Sequence, residues 1–571
     1  MLLAKNCKTR YSVWHDASCI ESELFAAEEL SRTLMQTTGA NFALIDLTPR
    51  PDRTLIVGSP ESVKALGIDI DAENLGCDGF IIRAVGNDIV IAGGRPRGTL
   101  YGVYDFLERF CGCRWYTPTV SKIPFVPELN IPDDLSIRDV PALEYRESFF
   151  RGNALDGPWA AHNRCNGHMP DLYTHLGGQI KYFPFVHTFS SLISPDEYFD
   201  EHPEYFSMVD GKRIRERTQL CLTNPDVLAL AKAKVRKWIK EHPEATIISV
   251  SQNDCYNPCT CPECRKLDEA EGSHAASLIT FVNQIAEDIE KDYPNIVIDT
   301  LAYQYTRVPP RTIRPRHNVC VRLCSIECCF AHPLDQCNEV MSCVNLQHGD
   351  SFQKDLEGWA RVCDRLYIWD YVVNFRHMVM PFPNFDVLAP NIRYFIKNNV
   401  KGIFEEGSTS VWGKTEFIEL RSWVVAKLLW NPDQDTGALV DDFIHGYYGH
   451  AADDVLEYYK LLHKRLHDSP ETHFGIYDPP RKEYLSAEDI AYALDLLSRA
   501  KDAAENEMIR ERVFEAELPM RYLSLMKAKN TPERDRAIDR LRDDLIERNI
   551  MQITEGATLE KAIRQLREYD F

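Results

Sequence analysis

The chain has 571 residues, 44% of them hydrophobic and 11% aromatic, and a formal net charge of −21. That length exceeds a single hydrophobic core and implies roughly two to four domains of ordinary globular composition. The excess of acid argues against nucleic acid or an anionic membrane as partner, because phosphates would be repelled, and no apolar run reaches membrane-spanning length.

The opening MLLAKNCKTRYSVW has no apolar core of signal-peptide length, so the expected location is the cytoplasm unless a signal has been removed. Residues 1–135 read as an α/β domain. A helix over 21–37 carries Leu24, Ala27, Leu30 and Leu34 on one stripe. Strands are expected at 41–45, 54–58, 79–85 and 88–93, with Gly86-Asn87 as the hairpin turn between the last two. Gly93, Gly94 and Gly98 precede a helix without the Lys-Ser/Thr pair or dinucleotide fingerprint of a phosphate cradle. Close helix–sheet packing is the simpler role for them.

Residues 136–412 contain eight strand candidates: 145–150, 182–189, 219–222, 247–251, 296–305, 319–326, 366–371 and 402–404. Several are short, continuous apolar runs, as suits strands covered on both faces. Helices separate them, the clearest opening at Asn224-Pro225-Asp226 with an N-cap, an N1 proline and a first-turn acid. Eight such units over this length predict a (β/α)8 TIM barrel. Residues 413–571 read as a helical domain, with Phe417, Leu420, Val424 and Leu428 on one stripe and further helices near 487–507, 510–527, 532–548 and 559–569.

Barrel chemistry collects at the C-terminal ends of the strands. There the sequence places His187, Asn253 and Asp254, Tyr303, Glu327, Trp369, Asp370 and Tyr371, and Glu405 and Glu406. Carboxylates on separate strand ends facing one cleft suit acid/base hydrolysis of a glycosidic bond. One protonates the leaving oxygen; another activates water, attacks, or stabilises the charge developing on the sugar. Each residue also has a structural alternative as a helix cap, a turn former or a core side chain. Cys255, Cys259, Cys261 and Cys264 make C-x3-C-x-C-x2-C. Four thiolates in one loop could hold zinc or an iron–sulfur cluster. Only Cys261 and Cys264 have the usual knuckle spacing, so reduced thiols are expected, with no metal and no cofactor.

The segments ISVSQNDCYNPCTCPEC, TLAYQYTRVPPR, VRLCSIECCFAHPL, LYIWDYVVNF, GIFEEG and FIHGYYGHAADDV resemble the domain of unknown function 4838, which overlaps a glycoside hydrolase family of endo-β-N-acetylglucosaminidases. GGRPRGTLYGVYDFLE and CGCRWYTP resemble the small α/β domain that precedes the barrel in β-hexosaminidases and α-glucuronidases. The resemblance implies a glycoside hydrolase with its catalytic groups at the barrel mouth. In related hexosaminidases an Asp-Glu pair follows strand four; the matching positions here are Asn253 and Asp254, an amide and a shorter acid. That departure puts substrate-assisted catalysis in doubt and implies a carboxylate from a later strand.

The resulting expectation is hydrolysis of a β-linked, N-acetylated or plain, sugar. Asp254 is general acid/base, and Glu405 (or Glu406) is nucleophile or electrostatic partner. Asn253, His187, Tyr303, Glu327, Trp369, Asp370 and Tyr371 shape the substrate site. A carbohydrate-binding protein on a degenerate barrel is the alternative, and the sequence leaves the oligomeric state open.

Overall fold

The computed structural model describes residues 1–152, 155–341, 351–408, 413–478 and 484–569; the expected boundary at Trp412 lies outside them. The first sheet consists of β1 (Ser12–His15), β2 (Leu44–Ile45), β3 (Thr54–Gly58), β4 (Phe80–Val85), β5 (Asp88–Gly93) and β6 (Ser136–Asp139), in the order β6-β4-β5-β3-β1-β2. Helices α1 (Glu21–Thr38) and α2 (Gly98–Cys111) pack against it and against each other. A Cβ on Gly93 would lie 2.2 Å from the Gly98 carbonyl carbon, and one on Gly98 would lie 2.3 Å from the Gly79 oxygen. These glycines let the helix start close against the sheet.

The second sheet holds β7 (Tyr145–Phe150), β8 (Ile247–Ser249), β9 (Val297–Ala302), β10 (Val319–Cys324), β11 (Leu366–Tyr371) and β12 (Val400–Ser408). All pair in parallel, in the order β7-β12-β11-β10-β9-β8. The last strand thus returns beside the first, and the sheet curls. Helices α3 (Pro225–Glu241), α4 (Pro262–Glu271), α5 (Ala275–Glu290), α6 (Phe352–Val362) and α7 (Phe385–Lys397) lie between the strands in sequence. Helix α3 begins as expected: the Asn224 side chain accepts from the Asp226 and Val227 N–H groups, which the helix itself leaves unpaired.

Two of the eight expected strands do not form. The 182–189 run makes one parallel bridge to β8, between Tyr182 and Ile247, and otherwise reaches it through the Thr188 hydroxyl, which donates to Ser249 O. Pro184 within it has no N–H to give a ladder, and the chain turns at His187, whose φ is 59°. The 219–222 run makes one isolated bridge, Leu220 to Phe206, and Gln219 uses its carboxamide instead to hold the backbone of Asn253 and Cys255. The barrel wall is therefore a curled, six-stranded parallel sheet, and the space beside β7 is filled by irregular chain. Asn166 and Gly167 donate to Arg146 O, Ile180 donates to Asn166 O, and Phe183 donates to Ile247 O.

Side chains alternate across these strands, and one face of the sheet turns inward. Its centre is Arg322 on β10, fully buried, with its guanidinium 5.1–5.9 Å from the ring centres of Tyr145, Tyr182, Phe185, Tyr367 and Phe404. Asp299 on β9 lies 3.7 Å away, and the Tyr182 hydroxyl accepts from Arg322 at 2.6 Å. A charge buried this deeply is stable only when paired and faced by ring quadrupoles.

The remaining chain is helical: α8 (Ile418–Trp430), α9 (Thr436–Tyr448), α10 (Ala452–His467), α11 (Ala487–Ala503), α12 (Glu507–Lys527), α13 (Pro532–Glu547) and α14 (Leu559–Glu568). Between these helices two irregular segments reach back to the loop after β11. Phe375 N–H donates to Ile476 O, Glu555 N–H donates to Phe375 O, and Met378 N–H donates to Ile553 O. This clamp carries helical-domain residues to the rim of the curled sheet.

Candidate active site

On β12 alternation separates the two glutamates. Phe404 and Glu406 share the inward face with Trp369 and Tyr371 of β11, whereas Glu405 pairs in register with Asp370 on the opposite face. Glu406 Oε2 accepts from Trp369 Nε1 at 2.8 Å. Burial raises the Glu406 carboxyl to about 8; the Trp369 bond pulls it down, and the charges of Glu555 and Asp254 push it up. Glu406 thus keeps its proton at neutral pH while standing among carboxylates.

Asp254 leaves the end of β8 in an exposed loop, and its Oδ1 accepts from the Tyr303 hydroxyl at 3.2 Å. Tyr303 follows β9, and burial followed by the Asp254 charge raises its phenol. His187 lies alongside, its ring 6.0 Å from that of Tyr303. The His187 Nδ1 lies 2.9 Å from the Gln252 carbonyl oxygen, which can only accept, so Nδ1 is the donor there. The left-handed backbone at His187 is uncommon for a residue with a Cβ and is held by the Ser251 hydroxyl, which accepts from His187 N–H at 2.9 Å.

The sheet wall beside these groups is aromatic. Trp369 stacks on Phe185 at 5.6 Å and lies 6.5 Å from Tyr371, which meets Phe375 edge-on at 6.0 Å. Two further groups come from the helical part. Tyr477 donates from its hydroxyl to Glu555 Oε2 at 2.9 Å. Partial desolvation raises the Glu555 carboxyl, Tyr477 lowers it, and the Asp254 charge raises it again. Glu406 and Glu555 both feel the Asp254 charge, so the three carboxyls lie within electrostatic reach of one another.

Other expected site residues lie elsewhere or have other partners. Asn253 was expected to bond the sugar. Its Nδ2 donates to Thr218 O at 2.8 Å and its Oδ1 accepts from Ser190 N–H at 3.0 Å, so its amide braces the loop that presents Asp254. Glu327 is buried in an ion pair with Arg307 at 3.1 Å, and Arg307 also holds Asp355 of α6. Asp370 accepts from the Ser325 hydroxyl on the outward face, where burial raises it to about 6. Glu405 is buried behind the strand, its carboxyl raised by burial and by Asp370. Glu147 on β7 faces inward but deeper; its Oε2 accepts from Met169 N–H at 3.0 Å and burial raises it to about 8.

Glu555, Tyr477 and Glu147 were not among the sequence candidates. Glu147 alternates with Tyr145 and Phe149 on a strand that the sequence does place, so its inward face could have been found. Glu555 and Tyr477 sit in loops between helices, where no periodicity marks them.

The cysteine group differs from the expected one. Cys255 turns away, its thiol donating to Arg217 O at 3.0 Å. Cys221 takes its place beside Cys259, Cys261 and Cys264, all four sulfurs lying within 4.8 Å of one another. Cys329, His332, Cys337 and His473 form a second set with the same closeness.

Residues 115–460 match the family model described as "Domain of unknown function (DUF4838)", and residues 5–106 match "Glycosyl hydrolase family 67 N-terminus". No curated protein matches the chain. Among solved structures, a family GH115 4-O-methyl-α-glucuronidase with specificity for decorated arabinogalactans aligns over 100% of this chain and 80% of its own, with a TM-score of 0.58 at 12% identity. That likeness is one of fold. A GH138 enzyme targeting pectin rhamnogalacturonan II covers 98% of this chain and 78% of its own at 11% identity, with a TM-score of 0.41, too low to bear on the architecture. No helix among the described residues is long and apolar enough to cross a membrane. With its model matched over more than half the sequence, the family is established: this chain belongs to the DUF4838 family.

Proposed function

We propose that the protein is a glycoside hydrolase whose acid/base pair is Glu406 and Asp254. The observation that carries this is the meeting of an inward, proton-retaining Glu406 with an exposed Asp254, beside the aromatic wall of Trp369 and Tyr371. An acid that is protonated at neutral pH can give its proton to the leaving oxygen, and a solvated carboxylate can activate water or take the positive charge that builds on the sugar. Glu406 then replaces Glu405 as the inward partner, since Glu405 lies behind the strand, and it takes the proton-donor role first expected of Asp254. Burial holds Glu406 protonated, with the Glu555 charge adding to it, and His187 Nε2 and Tyr303 offer polar contacts to the substrate.

The charged neighbours that bear on Glu406 and Glu555, among the described residues, are all carboxylates. A site of that sign suits a neutral or N-acetylated sugar better than a uronate, and a β-linked substrate remains the reading. Sugar release from aryl β-glycosides, aryl β-N-acetylglucosaminides and aryl α-glucuronides tests this, with Asp254→Asn as control. Turnover of a neutral or N-acetylated glycoside that Asp254→Asn abolishes is the expected result. Saturable calorimetric binding of oligosaccharides without product would make this a carbohydrate-binding protein instead, and preferred turnover of the glucuronide would overturn the substrate class.

A further inference from the structure

Two clusters of metal-ligating side chains lie apart from the three carboxylates. In the first, Cys221 comes from the 219–222 run, Cys259 and Cys261 come from the loop that enters α4, and Cys264 from its first turn. All four are buried. A tetrahedral zinc ion with Zn–S bonds of about 2.3 Å sets its sulfurs about 3.8 Å apart, whereas a disulfide would need about 2.05 Å. Cys221 and Cys261 are 3.6 Å apart, and every pair falls within 4.8 Å, the spacing of ligands around one ion. The surroundings supply hydrogen bonds to the sulfurs. Met208 N–H donates to Cys259 Sγ at 3.4 Å and the Arg213 guanidinium reaches the same sulfur at 3.6 Å. The Thr223 hydroxyl lies 3.2 Å from Cys264 Sγ. Outer hydrogen bonds of this kind fix and tune metal-bound sulfur.

An independent cluster joins Cys329, His332 and Cys337, from the loop after β10, to His473, which follows α10. Cys329 Sγ lies 3.6 Å from His332 Nδ1, and Cys337 Sγ lies 3.6 Å from His473 Nδ1. Two thiols and two imidazoles are a complete tetrahedral zinc set.

We propose that the chain binds two structural zinc ions, one through Cys221, Cys259, Cys261 and Cys264 and one through Cys329, His332, Cys337 and His473. Four protein ligands at each leave no open position for substrate or water, so neither ion takes part in hydrolysis. Their placement gives them a structural task. The first ties the run that failed to become a strand to the loop opening with Asp254. The second ties the loop after β10 to the segment that presents Tyr477, four residues beyond His473. Both staple irregular chain at the rim, where no ladder does so.

The test is elemental analysis of the full-length protein, purified without chelator, together with Cys261→Ser and His473→Ala. Wild type is expected to carry two zinc ions per chain and essentially no iron, and each variant one. Zinc released by a thiol-blocking mercurial, read with a colorimetric chelator, gives the same count on wild type should either variant fail to fold. Chelation is expected to lower the thermal midpoint, a readout independent of any glycosidase activity. A count near zero, with a midpoint indifferent to chelator, overturns both sites. A single zinc lost in Cys261→Ser but kept in His473→Ala overturns the second alone, the converse overturns the first alone, and stoichiometric iron overturns the assignment to zinc.

Discussion

Trp369 donates its indole N–H to Glu406 Oε2 across neighbouring strands, at 2.8 Å. Tyr371 pairs with Glu406 in register, so the bond runs diagonally over the inward face. It favours the ionised carboxylate, but burial and two acidic neighbours prevail and leave Glu406 near 8. Trp369→Phe removes the one interaction that pulls this value down. Its alkaline activity limb is therefore expected to move to higher pH, while kcat falls because the carboxyl is no longer held. A pH–rate profile of wild type and variant checks both.

Glu555→Gln acts in the opposite direction. Removing a negative charge beside Glu406 makes the ionised form easier to reach, so the proton leaves at lower pH. The alkaline limb is expected to shift downward, with the thermal midpoint little changed. An unmoved limb would separate Glu555 from the site.

Glu405→Gln distinguishes the two adjacent glutamates by stability. Burial and Asp370 raise the Glu405 carboxyl well above its ordinary range. Its contribution to stability is therefore fully present below the unfolded carboxylate pKa, about 4.3, and is lost as pH rises toward the folded value. The glutamine has no such loss. The variant is expected to gain on wild type in urea midpoint as pH rises above about 4.3, and to keep its activity.

Much of this arrangement is legible in the sequence and some is not. Strands β8 and β11 stand out because buried parallel strands are nearly continuous apolar runs, and Asn224-Pro225 announces α3 by its capping chemistry. The alternation of Ile403, Glu405 and Gly407 against Phe404 and Glu406 shows that only one glutamate faces inward, but not which one, since both faces of a buried strand are apolar. Pro184 is the signal that 182–189 is not a ladder strand. Cys221 lies almost forty residues before Cys259 with no spacing rule to connect them, and Glu555 reaches the cleft only through a backbone clamp on Phe375. Long-range convergence of this sort has no local imprint.

Arg322 is the central polar contact of the curled sheet. Replacing it by methionine leaves Asp299 buried without its cation, a change that costs about 3–5 kcal/mol when one partner of a buried pair is removed. Chemical denaturation is expected to show a loss of this order, and adding Asp299→Asn to Arg322→Met is expected to recover part of it.

The most direct test of the proton-donor assignment is the dependence of Glu406→Gln on leaving group. A general acid contributes about 10²–10⁴-fold where the departing oxygen needs a proton and little where it does not. The expected result is that Glu406→Gln loses activity by that factor on a sugar or alkyl leaving group, yet retains most of it on a dinitrophenyl glycoside, while Glu405→Gln behaves as wild type on both. Equal losses on the two substrates, or a loss confined to Glu405→Gln, would contradict the assignment.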